Sequence, residues 1–116
     1  MWLKKNISLD DKYLKRSDSI YISGVQSLVR LPLIQKERDQ KNNLNTAGFI
    51  SGYQGSPLGG YDLELSKAKH HLNNNEITHL PGLNEELAAT SVWGSQQIEY
   101  KQKNNKDGVF GIWYGK

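Results

Sequence analysis

The chain contains no cysteine. That excludes disulfides and any cysteine-ligated metal or iron–sulfur cluster within these 116 residues. Long apolar runs are also missing. No stretch approaches the roughly 20 apolar residues needed to cross a bilayer. Met1 to Asp11 carries Lys4 and Lys5 with no apolar run behind them, so it does not read as a secretory signal. A cytosolic location is the default expectation. Hydrophobic residues make up only 36% of the chain and the mean hydropathy is -0.69, which leaves room for one thin core and suggests that some apolar surface meets further structure. The charge excess is small, +3, and the basic residues are spread rather than clustered. A nucleic-acid interface built on Lys101, Lys103 and Lys106 is therefore disfavoured, and that charge run reads as a solvated loop.

What is present is an alternation of short β-prone runs with helical periodicity. Residues 1–19 are polar and read as a leader with little regular structure. Ile20-Tyr21-Ile22 is the first strand candidate. Ser23-Gly24 then opens a helix whose apolar face is Val25, Leu28, Val29, Pro32 and Leu33. Pro32 predicts a kink or an early stop, and the polar run from Lys36 to Asn45 reads as helix end plus loop. A strand over Ala47–Ser51 runs into Gly52 to Gly60, whose glycines and Pro57 argue against a helix or strand interior. Leu65, Ala68 and Leu72 mark a helix from Tyr61 to Leu72, ended by Asn73-Asn74-Asn75. Ile77–Leu80 is a short strand and Pro81-Gly82 a turn. A helix follows from Asn84 to about Tyr100, then a loop, then a strand over Val109–Tyr114. Strands alternating with helices predict an α/β domain with a mostly parallel sheet flanked by helices over residues 20–116. Ligands of such sheets bind at the carboxyl ends of the strands. Both Gly52–Gly60 and Pro81–Glu86 fall there. The chain reaches Gly115-Lys116 directly after its last strand, with no closing helix, and so reads as truncated.

Two segments are candidate sites, each with a plainer alternative. The glycine segment before a helix can cradle an anion or admit a ligand closely, yet it carries neither the P-loop pattern nor G-x-G-x-x-G; the alternative is a surface connection. Asn84 suits an N-cap, and Glu85-Glu86 in the first helical turn complement the helix dipole. That alone accounts for them, unless one glutamate faces a cofactor. His70, His71 and His79 lack metal-ligand spacing. Trp93, Trp113 and Tyr114 read as core or interface residues rather than stacking platforms.

Three motifs in order carry a resemblance. The segment from Asn45 to Gly60 (NTAGFISGYQGSPLGG), the segment from Pro81 to Gln97 (PGLNEELAATSVWGSQQ) and the segment from Asp107 to Lys116 (DGVFGIWYGK) resemble the start of the large, fused indolepyruvate:ferredoxin oxidoreductases. The resemblance covers about residue 8 onward, with Leu9 to Tyr13 also fitting. It implies a pyrimidine-binding domain of thiamine-diphosphate type, present as an amino-terminal fragment, since the family's sequence continues past Gly115-Lys116. The implied activity is oxidative decarboxylation of a 2-oxo acid, an aryl pyruvate such as indolepyruvate, to an acyl-coenzyme A with ferredoxin as acceptor. The implied cofactors are thiamine diphosphate with Mg²⁺ and an iron–sulfur cluster, both completed by other domains of the same polypeptide, in a homo-oligomer with no nucleic-acid or membrane partner. Glu85 would be the catalytic glutamate. By sharing a proton with N1′ of the aminopyrimidine it favours the imino tautomer, whose 4′-imine takes the proton from C2. Gly55 and Ser56 would lie against the cofactor, and Ser56-Pro57 near the substrate carboxylate. Gln54 departs from the proline usual in two-subunit relatives, which leaves the shape of that loop open. A stand-alone interaction module that has kept the domain's sequence without its catalytic partners is the alternative.

Overall fold

The computed structural model describes residues 6–55, 58–100 and 104–116. Three parallel strands form one sheet in the order β2-β1-β3, with β1 Thr46–Gly52, β2 Ile77–His79 and β3 Gly108–Tyr114. β1 is central. It pairs with β3 in register from Thr46↔Gly108 to Gly52↔Tyr114, and with β2 from Gly48↔Ile77 to Ile50↔His79. Helices α1 Asp11–Leu14, α2 Gly24–Lys41, α3 Gly59–Lys67, α4 Lys69–Asn74 and α5 Glu85–Ser95 complete the architecture, with a 3₁₀ turn at Ile98–Tyr100. The α/β class and the parallel sheet are as the periodicity predicts.

The longest helix is bounded by local chemistry. Ser23 and Gln26 form a capping box, each side chain bonded to the other's backbone. At the other end Asn43 adopts φ 59°, Leu44 N–H donates to the Asp39 carbonyl and Asn43 N–H to that of Gln40, a Schellman ending. Between these caps the helix runs through Pro32, without the early stop that is one of the two outcomes expected there. A proline leaves the carbonyl four residues earlier without its donor. Here that carbonyl is Leu28, and the Tyr61 hydroxyl of α3 donates to it at 3.1 Å. The polar run from Lys36 is helix as far as Lys41 and loop beyond it, as its composition predicts, yet Lys36 and Asp39 within it are buried. Lys36 Nζ donates to the Thr46 carbonyl and lies 3.5 Å from Glu76, and Thr46 Oγ1 donates to Asp39 at 2.6 Å. With Lys106 bonded to Glu76, this polar network closes the amino ends of the strands.

The core lies between α2, α3 and α4 and one face of the sheet: Val29, Leu33, Ile50, Tyr61, Leu65, Leu72, Ile77 and Tyr114. Helix α5 covers the other face, with Ala88 fully buried and Val92 against Gly111. The expected single helix over Tyr61–Leu72 is two segments meeting at Ala68, where φ -91° and ψ 10° leave the helical range while Leu65, Ala68 and Leu72 stay in the core. Helix α5 ends at Ser95, short of Tyr100. Gln96 and Gln97 donate three residues back, to Trp93 and Gly94, so the chain tightens into the 3₁₀ turn.

Two further expectations are corrected. Ile20-Tyr21-Ile22 forms no strand, and Tyr21 is fully exposed. Residues 6–19, read as having little regular structure, hold only the short α1, but that turn buries Tyr13 in the core. Arg30 holds it by donating to the carbonyls of Lys12 at 2.8 Å and Lys15 at 2.6 Å. Gly52 belongs to β1, and Gly59 and Gly60 to α3, so the glycine segment is trimmed from both sides by regular structure. No described glycine has positive φ. What the glycines supply is room.

Candidate functional site at the carboxyl edge of the sheet

That room is used by the chain's own aromatic rings. A Cβ on Gly48 would lie 2.5 Å from the Phe110 ring, and one on Gly52 would lie 2.3 Å from Cγ of Tyr114. Gly48 and Gly52 are four apart in β1, hence on one face, as are Phe110 and Tyr114 in β3. Each ring of β3 therefore crosses the central strand over a glycine. Phe110 approaches Ile77 of β2 in this way, and Tyr114 reaches His79.

Beyond Gly52 the chain turns through Tyr53 to Gly55. Tyr53 N–H donates to the Tyr114 carbonyl at 3.2 Å, extending the β1–β3 ladder by one bond. The place of a side chain on Gly55 is taken by the Tyr53 ring, 2.6 Å from the Cβ position. Ser56 and Pro57 lie outside the described residues. On the other side of β1, Leu80 donates to Ile50 and Gly82 to Gly52, both at 2.9 Å, which brings Pro81–Asn84 along the same edge.

Helix α5 starts at this edge. Asn84 Oδ1 accepts from Leu87 N–H at 2.8 Å, so Asn84 is the N-cap, as its residue type predicts. Glu85 is half-buried at the first helical position and Glu86 is exposed. The Trp113 indole N–H donates to the Glu85 carbonyl at 3.1 Å, and the Glu85 Cγ lies 3.1 Å from where a Gly115 Cβ would stand. The Glu85 carboxylate has no hydrogen-bond or ion-pair partner among the described residues. The edge thus gathers Glu85, Gly115, Trp113 and the turn after β1, which lie in separate elements of the sequence.

No protein-family profile, curated protein or solved structure matches the chain. What the edge can do rests on its own chemistry.

One constellation was not foreseen from the sequence. Tyr114 Oη–H donates to Asp62 Oδ1 at 2.5 Å, and the Tyr114 oxygen lies 3.0 Å from His79 Nε2. Because the phenolic hydrogen is committed to Asp62, His79 Nε2 carries the hydrogen between these two. His79 Nε2 and Asp62 Oδ1 are themselves 3.7 Å apart. Burial holds the His79 imidazole below its ordinary value, Lys69 adds to this, and the Asp62 charge opposes it. Burial, then the bond to Asp62 and its charge, push the Tyr114 phenol far up. Burial alone pushes Tyr61 up to about 12. These residues are 52 and 35 positions apart in the chain, and no local pattern links them.

Two cavities lie away from this edge. One of about 770 Å³ is lined by the amino-terminal stretch, including Leu9, Lys12 and Tyr21; the other, of about 320 Å³, lies under the end of α5, including Phe49, Ser95 and Val109. Among the described residues no group of three or more His, Asp and Glu side chains could hold a metal ion, and no helix is long and apolar enough to cross a membrane.

Proposed function

We propose that this chain is the pyrimidine-binding end of a thiamine-diphosphate-dependent 2-oxo-acid:ferredoxin oxidoreductase of the indolepyruvate type. The observation that carries the reading is the Glu85 carboxylate. It is half-buried, uncommitted to any partner among the described residues, and set at the carboxyl edge of a parallel sheet where such folds receive ligands. A carboxyl in that position fits a proton-sharing contact with a ring nitrogen of an aminopyrimidine. Thiamine diphosphate, when bound, supplies the electron sink for loss of carbon dioxide from a 2-oxo acid. Glu85 would hold or share the proton at N1′, and Trp113 and Gly115 would keep its backbone and side chain in place. Gly55 and Ser56 would lie near the cofactor, and Ser56 with Pro57 near the substrate carboxylate. The diphosphate, its Mg²⁺, the iron–sulfur cluster and the coenzyme A site fall to other domains of the polypeptide on this reading, since a cofactor held between two domains takes only part of its contacts from each.

The test is hydrogen–deuterium exchange at C2 of thiamine diphosphate bound to the native polypeptide that carries this sequence. Glu85→Gln should slow that exchange by about 10²-fold or more while leaving cofactor affinity within a few-fold. Unchanged exchange in the variant, or a native polypeptide that does not bind the cofactor with Mg²⁺, would remove the reading.

A further inference from the structure

The Asp62–Tyr114–His79 chain takes no part in the proposed proton sharing, and it ties three elements at one end of the sheet: α3 through Asp62, β2 through His79 and β3 through the core residue Tyr114. Tyr114 is the last residue of β3. Strand alternation sends its ring toward α3, over Gly52, and sends its neighbour Trp113 toward α5. Trp113 on one side of it in sequence bonds the Glu85 carbonyl, and on the other side the Glu85 Cγ lies 3.1 Å from where a Gly115 Cβ would stand. Its carbonyl also accepts from Tyr53 at the start of the glycine turn. One backbone unit therefore joins the buried hydrogen-bond chain on one face to Glu85 on the other.

We propose that Asp62, Tyr114 and His79 are positioning residues that fix the carboxyl end of β3 and, through Trp113 and Gly115, the placement of Glu85. Calling Glu85 the reactive group rests on the function proposed above; the coupling itself is a property of this chain. The physical basis is the cost of leaving the chain incomplete. A phenol donating to a carboxylate makes a charge-assisted bond, stronger than a neutral one. Without the hydroxyl, Asp62 and His79 are left facing each other at 3.7 Å with no hydrogen between them at bonding distance. Closing that gap draws α3 and β2 together beneath the end of β3. Past Tyr114 the β1–β3 register ends, and the described backbone bond that follows it is the one from Tyr53 N–H to the Tyr114 carbonyl.

The experiment is NMR on the full chain, with the Trp113 indole proton assigned by Trp113→Phe. Tyr114→Phe keeps the ring over Gly52 and removes only the hydroxyl. It should abolish the downfield displacement that the bond to Glu85 gives the Trp113 indole proton, and raise amide exchange at Tyr53 about tenfold. Exchange at Phe49 and Ile50 in the middle of β1 should stay within about twofold. Asp62→Ala should reproduce both changes. Asp62→Asn, which keeps an acceptor for the phenol, should restore the indole proton. The Asp62 pair gives the same readout if Tyr114→Phe does not fold. A Trp113 indole proton unmoved in folded Tyr114→Phe or Asp62→Ala overturns the proposal, and so does a rise in exchange spread evenly over β1. No cofactor enters this measurement, so loss of the function proposed for Glu85 would leave its outcome untouched, and the reverse holds as well.

Discussion

Replacing Gly52 by alanine tests the account of the sheet directly. The new Cβ would stand 2.3 Å from Tyr114 Cγ, 2.3 Å from the Tyr114 carbonyl oxygen and 2.4 Å from Cδ2. Carbon atoms rest at about 3.5–4.0 Å, so more than 1 Å must be found. One of the obstructing atoms is backbone and cannot rotate away. Overpacking of this kind costs about 1–3 kcal/mol. Moving the ring also loosens its bonds to Asp62 and His79, and a buried polar group left unpaired costs about 1–3 kcal/mol. The lower chain entropy of alanine returns about 0.5–1 kcal/mol. The net expectation is a loss of about 3 kcal/mol, a large share of the 5–15 kcal/mol typical of a domain. In urea unfolding, with a slope of about 2 kcal/mol/M, the midpoint should fall by about 1.5 M. Gly94→Ala is the control. Nothing lies within 4 Å of its Cβ position, and it sits in α5, so it should gain up to about 0.5–1 kcal/mol. A loss below about 0.5 kcal/mol in Gly52→Ala, or two variants shifting in the same direction, would refute the reasoning.

Tyr61→Phe should cost about 1–2 kcal/mol by leaving the Leu28 carbonyl without a donor. Pro32→Ala restores that donor from within the helix, so in the double variant the loss from Tyr61→Phe should shrink to a few tenths, and simple additivity in a denaturation cycle would count against the pairing. The His79 imidazole is held below its value of 6.5 by burial, so between the two values the unfolded chain binds more protons than the folded one. Stability should therefore rise with pH through this window and fall as the solution is acidified below about 6.5; His79→Gln should flatten the slope just below 6.5, leaving the drop near and below 4.5 that comes from Glu37 and Glu76, whose carboxyls are held down by Arg16 and Lys106 respectively. The 116-residue chain alone should show no micromolar binding of thiamine diphosphate with Mg²⁺ by calorimetry, because one half of an interdomain site offers few of the orienting contacts. Micromolar binding would contradict that division of the site.

The helix start at Ser23-Gly24 and the N-cap at Asn84 were legible because each is written beside the helix it serves, whereas the partnership of Ser23 with Gln26 emerged only in the fold. The strands at Thr46–Gly52, Ile77–His79 and Gly108–Tyr114 were legible to within a residue because each is a β-prone run bounded by turn residues, and their alternation with helices set the α/β class. Ile20-Tyr21-Ile22 carries the same local signal but finds no neighbouring strand to complete its hydrogen bonds, and propensity without pairing makes no strand. Pro32 sits inside a helix in which the carbonyl it orphans, Leu28, is met by the Tyr61 hydroxyl 33 residues further on, a partner no helix rule contains. Glu85 was singled out from its motif, but its neighbours Trp113 and Gly115 became its supports only when β3 was laid beside β1. The glycines show the division most plainly. From the sequence, Gly52 and Gly55 belong to a segment that is either a surface connection or open to a ligand, while in the fold the rings of Tyr114 and Tyr53 occupy the space that side chains would take. Local sequence determined where backbone elements start and stop, because caps, turns and periodicity act over a few residues. The tertiary structure alone decided what fills each gap and which buried polar groups meet, because packing and burial depend on residues far apart in the chain.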